Sequence, residues 1–151
     1  MKSVTITIGV VGFSQNQFDK NAAREIIRAY YEKLAEEHGD KNIEIVSGYT
    51  NTGVPQIAYE LADEFGFITV GFSAKQALRV RSGLYPVQKK ILKGERFGDE
   101  SQDFVRYINR LLRVGGGKQS RHETQLFKEL HCNHQNLTKL LEEHEVDWYG
   151  R

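Results

Sequence analysis

The stretch Ile43–Phe72, IEIVSGYTNTGVPQIAYELADEFGFITVGF, decides how the chain folds. Ile43 to Val46 is a short run rich in β-branched residues and reads as a strand. SGYTNTG follows as a polar, glycine-flanked loop, and Pro55 suits the first turn of a helix, where its missing N–H costs nothing. Ile57, Leu61 and Phe65 then recur at helical spacing, and Gly66 ends the helix. FITVGF is the next strand. A strand, helix, strand order with connections this short implies parallel neighbours joined by a right-handed crossover.

Working outward, the pattern repeats. Val4 to Phe13, VTITIGVVGF, is almost continuously apolar, as expected of a strand covered on both faces. After the loop SQNQFDKN, the residues Ala23, Ile26, Ile27, Tyr30 and Leu34 mark a helix that Gly39 closes. Ala74 to Val80 reads as a helical turn, and Val87 to Leu92 as a strand or a helix. KGERFGDES is a loop, in which Asp99 and Glu100 read as the cap region of the short helix QDFVRYI, with contact to a ribose or a metal as the alternative. RLLRV, residues 110–114, is another buried strand, and a helix follows from about Arg121 to His131. The tail from Asn136 places Leu137, Leu140 and Leu141 at helical spacing. The expected architecture is α/β: one domain over residues 1–151, a three-layer Rossmann-like fold with a mainly parallel sheet.

Composition narrows the function classes. The chain has 151 residues, and its 21 basic against 20 acidic residues give a net charge of +1, so no general attraction to nucleic acid or anionic membrane is expected. The N-terminal apolar run is too short to span a bilayer. One cysteine, Cys132, excludes an internal disulfide and suits a reducing compartment, so the protein reads as cytoplasmic. His131, Cys132 and His134 match no zinc spacing and read as a helix end; no metal and no resident cofactor is called for.

In open parallel sheets, ligands bind beyond the carboxyl ends of the strands. Three loops satisfy that test: GFSQNQ after the first strand, SGYTNTG after the second, and GGGKQS after RLLRV. The last two run into helices, whose unpaired N–H groups and partial positive charge suit phosphate. Ser14, Gly48, Tyr49, Thr50, Asn51, Thr52 and Gly53 are candidates on one side, with Tyr49 placed to stack on a base. Gly115, Gly116, Gly117, Lys118, Gln119 and Ser120 are candidates on the other. A plainer reading of the third loop is a turn followed by a capping box, in which Ser120 and Glu123 satisfy each other's backbone amides. Neither glycine loop has the dinucleotide fingerprint or a Walker A pattern.

The residues IEIVSGYTNTGVPQIAYELADEFGFITVGFS and FVRYINRLLRVGGGKQSRHE resemble the SLOG superfamily of Rossmann-like proteins, which includes the Lonely-Guy (LOG, lysine-decarboxylase-like) phosphoribohydrolases. That family's signature is P-G-G-x-G-T-x-x-E. Gly115 stands at the proline, Gly116 and Gly117 at the paired glycines, Gln119 at the third glycine, Ser120 at the threonine and Glu123 at the acid. The resemblance implies that the loop holds the phosphate of a nucleotide. It also implies that Glu123 faces the ribose or assists cleavage of the base–ribose bond, where a carboxylate stabilises oxocarbenium character. Arg81 is the candidate for the family's catalytic arginine, and a homodimer is implied as well. Two departures stand out: Gln119 replaces a glycine, and the apolar strand that normally follows the last helix is missing.

The expected function is therefore binding of a nucleotide or nucleotide-like phosphate ligand at strand-end glycine loops. The rivals are a phosphoribohydrolase acting on a nucleoside 5′-monophosphate and a non-catalytic interaction module.

Overall fold

In a computed structural model of the chain, the described residues are 4–79, 83–133 and 135–149. Among these described residues six strands are found: β1 (Thr5–Gly12), β2 (Asn42–Ser47), β3 (Ile68–Ser73), β4 (Lys89–Leu92), β5 (Arg110–Val114) and β6 (Leu141–His144). They alternate with helices α1 (Lys20–His38), α2 (Gly53–Phe65), α3 (Ser101–Tyr107), α4 (Lys118–Leu130) and the single turn α5 (Leu137–Leu140). The sheet order is β4-β3-β2-β1-β5-β6, with every pairing parallel.

That order fixes where a ligand can sit. The chain steps outward from β1 through β2 and β3 to β4, then returns to place β5 on the other flank of β1. Gly12, the last residue of β1, is in register with Val114, the last residue of β5. The carboxyl ends of these two strands form the switch point, where neighbouring connections diverge and leave a crevice.

Each face of the sheet has its own core. Ile6, Ile8, Val10, Ile43, Ile45, Leu112 and Val114 pack against α1 and α2. Val11, Val46, Val70, Phe72 and Leu111 pack against Phe104, Val105 and Ile108 of the α3 region and Phe127 of α4. The alternation along β1 follows from the two-residue period of a strand that is buried on both faces.

Below the crevice, one side chain stitches the strand ends together. The buried Tyr59 hydroxyl accepts from the Ser47 amide at 3.1 Å and lies 2.8 Å from the carbonyls of both Gly48 and Val70, between which its one proton is shared. Tyr59→Phe leaves these backbone groups unpaired away from water. The expected loss in unfolding free energy is about 1–3 kcal/mol, read by urea denaturation; an unchanged midpoint would show the hydroxyl to be dispensable.

Three expectations need correction. First, the tail is not one helix: α5 is a single turn, and Leu141–His144 instead pairs with β5 as the edge strand β6. An edge strand has one neighbour and tolerates charge, so LEEH serves where an apolar run was sought. Second, α4 begins at Lys118 with Gly117 as its N-cap, three residues before the expected start. Third, Ser120 therefore lies inside the first turn, where its hydroxyl donates to the Gly117 carbonyl at 3.2 Å, and the S-x-x-E capping box does not form. The remaining choice at Val87–Leu92 resolves to a strand, β4, because its backbone pairs with β3. Among the described residues no helix is long and apolar enough to cross a membrane.

Candidate functional site

A cavity of about 710 Å³ opens at the switch point, a size suited to an organic ligand. Its wall brings together Ser14, Gly48, Tyr49, Thr50 and Thr52 from the first two loops. Gly116, Gly117, Lys118, Gln119, Ser120 and Glu123 come from the third loop and α4. Asn51, Gly53 and Gly115 stand outside this wall, and Arg81 lies outside the described residues.

The two helix N-termini behave differently. At α2 the amides are already taken, since Gly53 N–H donates to Asn16 Oδ1 at 2.9 Å and Val54 N–H to the Phe13 carbonyl at 2.7 Å. Thr52 Oγ1 donates to the Ser14 carbonyl, and Ser47 Oγ donates to the Val10 carbonyl. This side of the cavity is a tied-down wall rather than a set of free donors. Tyr49 is buried, its ring packed on Gly71 and lying under the Lys90 ammonium, 5.8 Å from the ring centre.

The head of α4 is open. Among the described residues, the amides of Gly116, Gly117, Lys118, Gln119 and Ser120 meet no acceptor. Their orientation is enforced from behind. Arg113 Nη1 donates to the Gly115 carbonyl at 2.8 Å, and Arg121 Nε donates to the Gly116 carbonyl at 3.0 Å. In a trans peptide the next N–H points opposite to the carbonyl, so these bonds turn the Gly116 and Gly117 amides away from the guanidiniums. Glu145 clamps both arginines, at 2.9 Å from Arg113 Nη2 and 2.8 Å from Arg121 Nη2. Arg121 and Arg113 together pull its carboxyl down to about 2. Arg113 also meets Glu143 of β6, which explains how a buried strand holds a guanidinium.

Glu123 closes the floor. It is buried, and one carboxylate oxygen, Oε2, accepts from Ser101 Oγ at 3.0 Å and Gln119 Nε2 at 3.5 Å. Burial raises its carboxyl to about 7, against the Ser101 hydrogen bond and with help from the nearby Glu100. Glu100 is itself buried and raised by desolvation, and it shares Gln119 Nε2 at 3.1 Å through its Oε1. Gln119, where the family signature has glycine, therefore bridges two acids. The site thus sets a run of unpaired backbone donors beside an acid whose carboxyl burial raises to about 7.

Sequence reasoning named Tyr49 but missed the other aromatic residues of the wall: Phe13, Phe72, Phe97, Phe104 and Trp148. Trp148 arrives from the tail beyond β6 and stacks on Phe13, with ring centres 4.8 Å apart and planes 23° apart. Nothing local in EVDWYGR signals that contact.

No family model matches the chain, and no curated protein is similar to it in sequence. Solved structures do share its fold. The crystal structure of TM1055, a structural-genomics target, superposes with a TM-score of 0.65 at 16% identity, covering 93% of this chain and 91% of that one. The molybdenum cofactor carrier protein of Chlamydomonas reinhardtii gives 0.64 at 20% identity, covering 92% and 89%. The molybdenum cofactor binding protein of Rippkaea orientalis gives 0.61 at 17% identity, covering 95% and 90%. The chain is therefore an α/β protein of the Rossmann-like fold that these structures share.

Proposed function

We propose that the protein binds a phosphorylated small molecule in the switch-point cavity, with the phosphate on the head of α4. The observation that carries this reading is the run of unpaired amides from Gly116 to Ser120, all five of them residues that line the cavity. A helix N-terminus adds partial positive charge there, and Lys118 adds a full one. The SLOG resemblance points to a nucleotide. Two structural neighbours carry names that point to the molybdenum cofactor, whose pterin bears a phosphomonoester. Both ligands present the same anion to the same donors.

The test is a thermal-shift panel of inorganic phosphate, ribose 5-phosphate, nucleoside monophosphates and isolated molybdenum cofactor, handled anaerobically. A ligand at about a hundred times its dissociation constant adds about 2.7 kcal/mol of stability, equivalent to a rise of roughly 5–10 °C for a chain of this size. Phosphorylated compounds should raise the melting temperature and their dephosphorylated counterparts should not. No shift with any of them at millimolar concentration would overturn the proposal.

One observation favours a catalytic version. Glu123 faces the cavity with a carboxyl poised near pH 7, the condition for proton transfer at neutral pH. A phosphoribohydrolase would release free base from a nucleoside 5′-monophosphate, and Glu123→Ala would abolish that release. Binding without turnover would leave a carrier or sensor.

A further inference from the structure

Two of the large apolar side chains left exposed in the described residues lie in the cavity wall, and they reach it from opposite layers. Phe97, 39% exposed, comes from the loop before α3 and is held by a hydrogen bond from its amide to Gln76 Oε1. Trp148, 43% exposed, comes from the chain end on the α1 side. Burying either ring against protein would be favourable, so their exposure in a cavity calls for an explanation.

Trp148 is not a loosely held ring. Phe13 backs one face, and Phe13 in turn packs on the buried Phe18 with ring centres 5.4 Å apart. The backbone around it is tied down on both sides. Asp19 N–H donates to the Asp147 carbonyl at 2.9 Å, and Tyr149 N–H donates to the Gln17 carbonyl at 2.7 Å. Further back, Glu145 is clamped by the two arginines that orient the glycine loop. One short segment therefore fixes both the anion-facing amides and an indole ring in the same cavity wall.

We propose that Trp148, backed by Phe13, is a stacking platform for the ring of the ligand, so that the ligand class is a phosphorylated planar heterocycle. This rests on the phosphate reading above. A ring stacked on a pre-positioned aromatic side chain gains contact area with little loss of side-chain freedom. Stacking also tolerates different rings, since every planar heterocycle offers a π-face; a nucleobase and a pterin both qualify.

Trp148 is the chain's single tryptophan, so its emission reports on the platform directly. The experiment titrates the wild-type protein with guanosine 5′-monophosphate and with ribose 5-phosphate, following emission and, by calorimetry, affinity. A third calorimetric arm uses neopterin phosphate. Guanosine 5′-monophosphate should change the emission and ribose 5-phosphate should not. Trp148→Ala should weaken guanosine 5′-monophosphate about tenfold while leaving ribose 5-phosphate unchanged, and Trp148→Phe should restore most of the loss. The tighter of the two ring-bearing ligands identifies the source of the heterocycle. Equal affinity for ringed and ringless phosphates, with no change in emission, would overturn the platform and leave the phosphate site standing. Binding of neither would overturn the phosphate site, and the platform with it.

Discussion

Gly116→Ala is expected to leave the protein folded and to weaken its hold on ribose 5-phosphate by on the order of a hundredfold. Gly116 has φ of 114°, a conformation that only glycine adopts without strain. An added Cβ would also collide with the Ser120 side chain and stand 3.2 Å from Gly12 Cα. The strain, roughly 1–3 kcal/mol, is relieved by rotating the adjoining peptides, which breaks the Arg121 bond to the Gly116 carbonyl. The Gly116 and Gly117 amides then leave the cavity. A hydrogen bond to a charged group contributes about 1.5–3 kcal/mol, so losing two of them accounts for the hundredfold. Gly117→Ala is the control. Gly117 has φ of −99°, and nothing lies within 4 Å of where its Cβ would stand, so that variant should bind within a few-fold of wild type. Calorimetry on the pair decides the matter: equal affinities would show that the phosphate does not rest on this loop.

The contrast between these two glycines shows what the sequence carries and what it withholds. GGG announces a loop that backbone can approach closely, but not which residue takes the strained conformation; that depends on Ser120 and Gly12, which meet only in the fold. The inner strands were legible because burial on both faces demands unbroken apolar runs such as VTITIGVVGF. β6 was not, because an edge strand is stabilised by backbone pairing to β5 rather than by its side chains, and LEEH carries no strand signature. Arg113 in an apolar strand finds its partners Glu143 and Glu145 some thirty residues later. The capping box failed for a related reason: Glu123 has the spacing for it, but the tertiary fold offers Ser101 as its donor. Trp148 belongs to the same class, since its role comes from Phe13 at the opposite end of the chain.

Glu123→Gln is expected to stabilise the protein above pH 7, by on the order of 3 kcal/mol. Unfolded, the Glu123 carboxyl titrates near its ordinary value of 4.5; folded, burial raises it to about 7. The folded state therefore binds the proton more tightly, so wild-type stability is greatest below the lower value. It declines as pH rises between the two and stays low above the upper one. Glutamine keeps an oxygen to accept from Ser101 Oγ and carries no charge to desolvate beside Glu100. Its melting temperature should exceed that of wild type at pH 8 by several degrees, and the gap should close at pH 4; a constant gap would show that Glu123 titrates normally. The same titration bears on binding. A phosphomonoester is close to doubly charged above its second pKa of about 6, and a carboxylate in the same cavity would repel it. Wild-type affinity for ribose 5-phosphate should therefore fall from pH 6 to pH 8, while Glu123→Gln should lose little. A parallel decline in both proteins would separate the acid from the anion site and place the phosphate beyond its reach.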